Sequence, residues 1–267
     1  MEKITYKDKF LNLAEYWFQV ESTEKLKCDI LSYHDLKEPI IDVKSNIIVR
    51  KAQTLVNDLT LSTEELFSKF KSDTRTKIRK AKKKGVVTKF YSSTDLLAQL
   101  EILDEFIEAH HQFLISKNMK GKLKKDKLQA YCKANMLVLS TATHDGDNMG
   151  YHSFIVNGQI ARGLYLASLY RNKDQAADKN LIGDANRLLH WEDMCRFKEL
   201  GYSTYDWGGY SKLEELKNVN RFKEEFGGKK EDRYHYLIPN SYLGNLGIFA
   251  LRGVNFIRNM KSKKQLN

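Results

Sequence analysis

Two charged residues stand where chemistry is easiest to build. Asp206 falls near the end of an apolar strand pattern, directly before Gly208-Gly209. Lys223 follows on a helical pattern, Phe222-Lys223-Glu224-Glu225-Phe226, whose two phenylalanines lie four apart and anchor one face. A carboxylate at a strand end can take a proton from an attacking amine, or hold a neighbouring cation in place. A lysine beside an anchored face can stabilise an oxyanion. Bland alternatives stay open. Asp206 would serve equally as a turn acceptor for the glycine backbone, and Lys223 as one of several solvated cations with Lys217 and Arg221. Tyr205 offers a phenol, but strand alternation puts it on the face opposite Asp206.

Other chemistries lack their residues. Cys28, Cys132 and Cys195 are scattered without a CxxC pair, so neither a zinc site nor a disulfide framework is indicated. His110, His111 and His152 show no HxxxH or HExxH spacing, and no metal is expected. His152 keeps interest as a substrate contact because it falls mid-strand. No GxGxxG or GxxxxGK[ST] fingerprint occurs. Gly183 precedes Asp184-Ala185-Asn186-Arg187, where a helix start would offer free N–H groups to an anion. Gly183, Asn186 and Arg187 are therefore the candidate carrier-binding positions. Tyr165 and Tyr170, on the strand pattern 159–170, are candidate substrate contacts.

The elements that must position these residues read as follows. Phe10, Leu11, Ala14, Trp17 and Phe18 predict a helix over 7–20. Short β-branched runs at 40–43 and 46–49 predict strands. Ser62 and Glu65 form a capping-box pattern opening a helix that stops at Gly85. From residue 86 the order is a strand, two helices broken near 118–121, a hairpin over 136–156 and a strand over 159–170. A helix over 184–200, a strand over 202–207, a helix over 211–225 and a strand over 232–238 complete it. This order predicts a mixed sheet with helices on both faces, of the α/β (α+β) class. Three segments are expected: a partial α/β unit over 1–85, a complete one over 86–240, and a basic amphipathic helix over 241–267.

That order is the one GNAT acyltransferases use. The series Asn186-Arg187-Leu188-Leu189-His190-Trp191-Glu192, Tyr205-Asp206-Trp207-Gly208-Gly209 and Phe222-Lys223-Glu224-Glu225-Phe226-Gly227-Gly228 resembles the closing half of the Fem-type aminoacyltransferases. It is similar also to the related GNAT-like proteins of cell-envelope and polysaccharide biosynthesis. Upstream, Glu64-Glu65-Leu66 and the run Arg75–Gly85 look like the passage between that family's two GNAT units. This chain has room for one such unit and a fragment. The resemblance implies an N-acyltransferase acting on an amino group of a cell-envelope sugar or lipid-linked precursor. Acyl-CoA would be the donor substrate, with no permanently bound cofactor. The alternatives are transfer from aminoacyl-tRNA and a non-catalytic anion-binding module. It implies that Lys223 binds substrate and stabilises the transferring group. It also puts Lys117 where the family carries a phosphate-binding basic residue, usually arginine.

Composition agrees with anionic partners. The chain carries 45 Lys+Arg against 34 Asp+Glu, a formal charge of +11. Cations crowd Arg75–Lys84 and the end of the C-terminal pattern, where nucleic acid or acidic lipid could bind. MEKITYKDKF lacks an apolar signal core and no long apolar run occurs. The expected location is cytoplasmic, with peripheral contact at an acidic membrane face as an option.

Overall fold

The computed structural model describes residues 3–20, 27–40, 46–169, 176–211 and 213–264. It divides into two compact units, residues 1–52 with 232–267, and residues 53–231. The boundary expected at residue 85 falls inside the second unit, because the helix ending at Lys83 packs on that unit's longest helix.

In the first unit, β1 (Ile4–Asp8), β2 (Leu11–Trp17), β3 (Ile30–Leu36) and the last strand, β10 (Lys229–Pro239), lie in that order. The helix expected over 7–20 is therefore a hairpin. Asp8 pairs with Leu11 across a turn in which Lys9 takes φ 56°. Burial follows the strand, not the helix stripe. Phe10 is exposed at the turn, whereas Ala14, Glu15, Tyr16 and Trp17 are all buried. The aromatic residues prefer this pleated surface, and Tyr6 satisfies the buried Glu15 by donating a hydrogen bond at 2.5 Å. The strand expected over 40–43 lies mostly outside the described residues. The one begun near 46 becomes β4 (Ile48–Asp58).

The second unit holds the predicted mixed sheet. After β4 come α1 (Thr63–Ser68), α2 (Ser72–Lys83), β5 (Val87–Tyr91), α3 (Ser93–Ala98), α4 (Leu100–Ser116) and α5 (Lys125–Lys133). Then follow β6 (Leu137–His144), β7 (Asp147–Asn157), β8 (Ile160–Ser168), α6 (Ala176–Glu199), β9 (Thr204–Tyr210) and α7 (Lys217–Glu224). Strand order within the unit is β4-β9-β8-β7-β6-β5. Among the described residues of this unit, only β8 and β9 pair in parallel.

Local chemistry sets many of the boundaries. Ser62 and Glu65 form the capping box, but the helix breaks at 69–71 into α1 and α2. Gly85 and Gly201 take positive φ where their helices stop, as C′ glycines do. Alternation along β7 sends Phe154 towards Phe197 of α6 and Tyr151 towards Phe106 of α4, so helices cover both faces. Part of the Arg75–Lys84 run is paired within the unit. Arg75 caps Ser68 and Phe70 carbonyls, Lys77 pairs with Asp73, and Lys80 and Lys82 reach Asp184 and Glu192 on α6. No described helix is long and apolar enough to cross a membrane.

Candidate active site

The parallel pair β8·β9 is short. Ile160, Ala161 and Arg162 face Thr204, Tyr205 and Asp206, and no further pair between these strands forms among the described residues. Yet β8 runs on to Ser168 and β9 to Tyr210, so the two strands separate into a fork. Both arms carry a bulge at the branch point. On β8, Leu164 is the extra residue, and the Ser153 hydroxyl clamps it by accepting from Tyr165 N and donating to Tyr165 O, each at 3.0 Å. On β9, Trp207 and Gly208 together oppose Leu55. Gly208 takes φ 69°, and a Cβ there would stand 2.7 Å from Gly163 O.

Asp206 builds this second bulge. It is fully buried in the middle of β9, not at its end. Its Oδ1 accepts from Gly208 N at 2.7 Å and is hydrogen-bonded to Thr54 Oγ1. This is the turn-acceptor geometry. Its charge also acts on Lys223.

Lys223 fills the fork. Phe222 and Phe226 pack on Trp207 and His190 and fix α7, as the four-residue spacing predicts. The buried Lys223 ammonium, 6% exposed, then donates to the carbonyls of Trp207 (3.0 Å), Gly208 (3.4 Å) and Gly209 (2.7 Å). The carbonyls of Trp207, Gly208 and Gly209 follow directly on Asp206, the last β9 residue that pairs with β8. The ammonium therefore replaces the missing strand as their donor. Burial pushes its pKa down to about 8; the Asp206 carboxylate opposes this shift, and the Arg162 guanidinium reinforces it. Arg162 belongs to no motif in the sequence. A cation on the last paired residue of a parallel strand carries no local signal.

A cavity of about 590 Å³ lies at the end of β9, one residue beyond Gly209. Tyr210, Arg221, Glu224 and Lys230 help to line it. Glu224 accepts from Tyr210 OH at 2.6 Å and pairs with Lys230 at 2.9 Å, contacts that hold its carboxyl below the usual range. Cations and carboxylates thus share one opening.

The remaining expectations fare unevenly. Tyr165 is half-buried on the β8 arm, edge-on to His110 at 5.4 Å. Lys117 is exposed at the end of α4, its Nζ over the Phe113 ring. Tyr170 lies outside the described residues. The carrier site imagined at a helix start near 184 is corrected, because α6 already begins at Ala176. The backbone N–H groups of Gly183, Asn186 and Arg187 are inside the helix and committed to its ladder. The Arg187 side chain donates to Gly183 O and pairs with Glu225 at 2.8 Å, tying α6 to α7.

His152 is also corrected as a substrate contact. It is fully buried under α6, with Nδ1 2.8 Å from Asp193 Oδ2 and Nε2 2.9 Å from Asn186 Oδ1. Beside it, His190 Nδ1 meets Tyr205 OH at 2.7 Å. Burial drives His190 well below its ordinary pKa, with the His152, Lys223 and Arg187 charges adding to the shift. Burial also raises the Asp193 carboxyl and the Tyr205 phenol. His152, His190 and Asp193 offer ligand atoms within 4.8 Å of one another. The two imidazoles lie 4.0 Å apart, tilted by 32°, and their nitrogens are engaged within the protein, His152 with Asp193 and Asn186 and His190 with Tyr205. The group is a hydrogen-bond network of the core, and it keeps the Tyr205 phenol out of the fork.

The fold has known relatives. FemX overlays with a TM-score of 0.61 at 13% identity, covering 91% of this chain and 85% of that one. The C-terminal domain of a protein assigned to the lysylphosphatidylglycerol synthetases, from Agrobacterium fabrum, overlays with a TM-score of 0.54. Its identity is 12%, and the overlay covers 84% of this chain and 71% of that one. No curated protein matches the chain in sequence. The family model for the acetyltransferase (GNAT) domain matches residues 68–224, more than half of the chain and all of the fork. On that match the chain belongs to the GNAT family and is an acyltransferase with a Fem-like fold.

Proposed function

We propose that this chain transfers an acyl group from an acyl-CoA to an amino group of a cell-envelope sugar or lipid-linked precursor. The observation that carries this reading is the Lys223 ammonium, buried and held by three carbonyls where β8 and β9 separate. The open edge of β8 beyond Arg162 offers backbone groups to an extended, amide-bearing donor. The acceptor nitrogen attacks the acyl carbon, the C–N bond forms, the C–S bond breaks, and the proton lost by the amine ends on the departing sulfur to give the free thiol. The negative charge on the carbonyl oxygen in between is stabilised by the charge of a fixed, buried cation, whose own N–H groups stay on the three carbonyls. The mixed-charge cavity suits an acceptor that carries an amine and a phosphate together. In this reading the carboxylate of Glu224 takes the amine and the guanidinium of Arg221 the phosphate, while Lys230 pairs with Glu224.

Transfer from aminoacyl-tRNA is the second reading. The extent of the FemX overlay and the +11 charge favour it. Titration calorimetry with coenzyme A and gel retardation with tRNA separate the two. Coenzyme A binding without tRNA retardation is the expected result. The reverse pattern would replace the donor, and absence of both would remove catalysis by this route and leave a binding module.

A further inference from the structure

The C-terminal helix, α8 (Tyr242–Lys264), presents the wrong face to solvent for a helix that only packs on its own unit. Its inner face is defined by close contact. Gly244 sits so tightly on the backbone that a Cβ would meet Asp29 O at 1.9 Å, and Gly247 lies against Leu11 and Ile30. Ile248 on the same side is fully buried. Asp29 fixes the start of the helix by accepting from Ser241 Oγ at 2.6 Å, while its carbonyl accepts from Asn240 N at 2.8 Å. The helix therefore has no freedom to turn its other side inward.

That other side is apolar. At 100° per residue, Tyr242, Leu246 and Phe249 fall directly opposite Gly244 and Ile248. They are 77%, 51% and 77% exposed, and Leu243 beside them is 48% exposed. A surface helix ordinarily reverses this pattern, with its polar face outward. The β1–β2 turn of the same unit adds Phe10, 70% exposed, next to the Leu11 that touches Gly247, with exposed Lys7 and Lys9 beside it.

Charge selects the occupant. The 23 residues of α8 contain no carboxylate, and the sequence along its later turns supplies Arg252, Arg258, Lys261, Lys263 and Lys264. An exposed aromatic and aliphatic ridge on a helix whose charged residues are all cationic fits the boundary of an anionic bilayer. Rings enter the acyl boundary there while cations meet phosphate headgroups. A second copy of this chain fits poorly, because it would bring a second +11 body and the same acid-free helix. We infer that α8 and the β1–β2 turn form a docking face for an anionic membrane surface, on which the chain lies without crossing it. The inference is independent of which donor the fork accepts.

Vesicle co-sedimentation of the full chain tests this. Phosphatidylcholine vesicles containing phosphatidylglycerol should bind the protein, those of phosphatidylcholine alone should bind weakly, and added salt should release it. The double variant Leu246→Ser/Phe249→Ser should lower partitioning roughly tenfold or more. Both side chains are exposed, so an unchanged melting curve should accompany the loss. Replacing Arg258, Lys261, Lys263 and Lys264 by Gln provides an independent variant and should abolish the preference for anionic vesicles. Equal sedimentation of wild type and both variants, or no binding to anionic vesicles, would overturn the inference. So would a dimer seen by light scattering that the double variant dissolves, since the face would then belong to a second copy.

Discussion

Two buried polar clusters meet beside β9, and they differ in what their polar groups are bonded to. In the core network, His152, Asp193, Asn186, His190 and Tyr205 bond one another through side chains. In the fork, the Lys223 ammonium bonds backbone carbonyls that a neighbouring strand has abandoned. Both clusters contain groups with displaced pKa values, and burial is the leading cause in both. A displaced pKa therefore does not tell a site from a core. Unpaired strand edges do, because they leave room and hydrogen-bonding capacity for a ligand.

The sharpest way to break this contrast is to remove one group from each cluster. Lys223→Ala should cut turnover by about 10²-fold, by removing the fixed positive charge and leaving the carbonyls it bonds without their donor. Asp193→Asn should instead destabilise the fold by about 3 kcal/mol, as breaking a buried pair does, while folded molecules keep their turnover. Chemical denaturation and single-turnover kinetics on both variants check this. If Asp193→Asn abolishes chemistry in folded protein and Lys223→Ala does not, the two clusters must exchange roles.

A smaller effect concerns protons. The Lys223 pKa is lowered to about 8 from an ordinary 10.5, chiefly by burial. If the ammonium is the working form, turnover should fall as pH rises through about 8. The sign for stability is opposite. Below pH 8 the cost of burying the charge is fully present. Between 8 and 10.5 the unfolded chain binds the extra proton, so this group's contribution to folding becomes less unfavourable as pH rises. Arg162→Gln removes the charge that helps to lower the value and should move the falling limb upward. A pH–rate profile that rises through this range would identify Lys223 as a base instead.

The sequence showed the parts made by near neighbours. The capping box at Ser62, the glycine stops, the β6–β7 hairpin and the Phe222–Phe226 anchor all depend on residues a few positions apart. The helix misread over 7–20 failed for a related reason. Apolar residues at 10, 11, 14, 17 and 18 satisfy a helical stripe, and only pairing with residues 4–8 reveals the hairpin. The motif flagged Lys223, but its burial depends on carbonyls 14 to 16 residues earlier, and the bond from Thr54 to Asp206 spans 152 residues. Charge patterns likewise suggested free cations at Arg75–Lys84 because their partners on α6 lie about a hundred residues away, as Lys82 and Glu192 do at 110. A fork is a property of two strands that stop pairing, and no window of one strand contains it.

The smallest expected effect tests whether the fork itself, rather than the lysine alone, separates the two regions. Ser153 belongs to neither cluster, yet its hydroxyl serves both backbone groups of Tyr165 and so holds Leu164 out of register. Ser153→Ala should cost about 1 kcal/mol for the lost hydrogen bonds. It should also allow β8 to relax towards regular pairing and narrow the fork. Donor affinity should then weaken while the melting curve shifts little, and hydrogen exchange at Tyr165 should change. Unchanged donor binding alongside altered exchange would show that the bulge is dispensable, and that Lys223 defines the site without it.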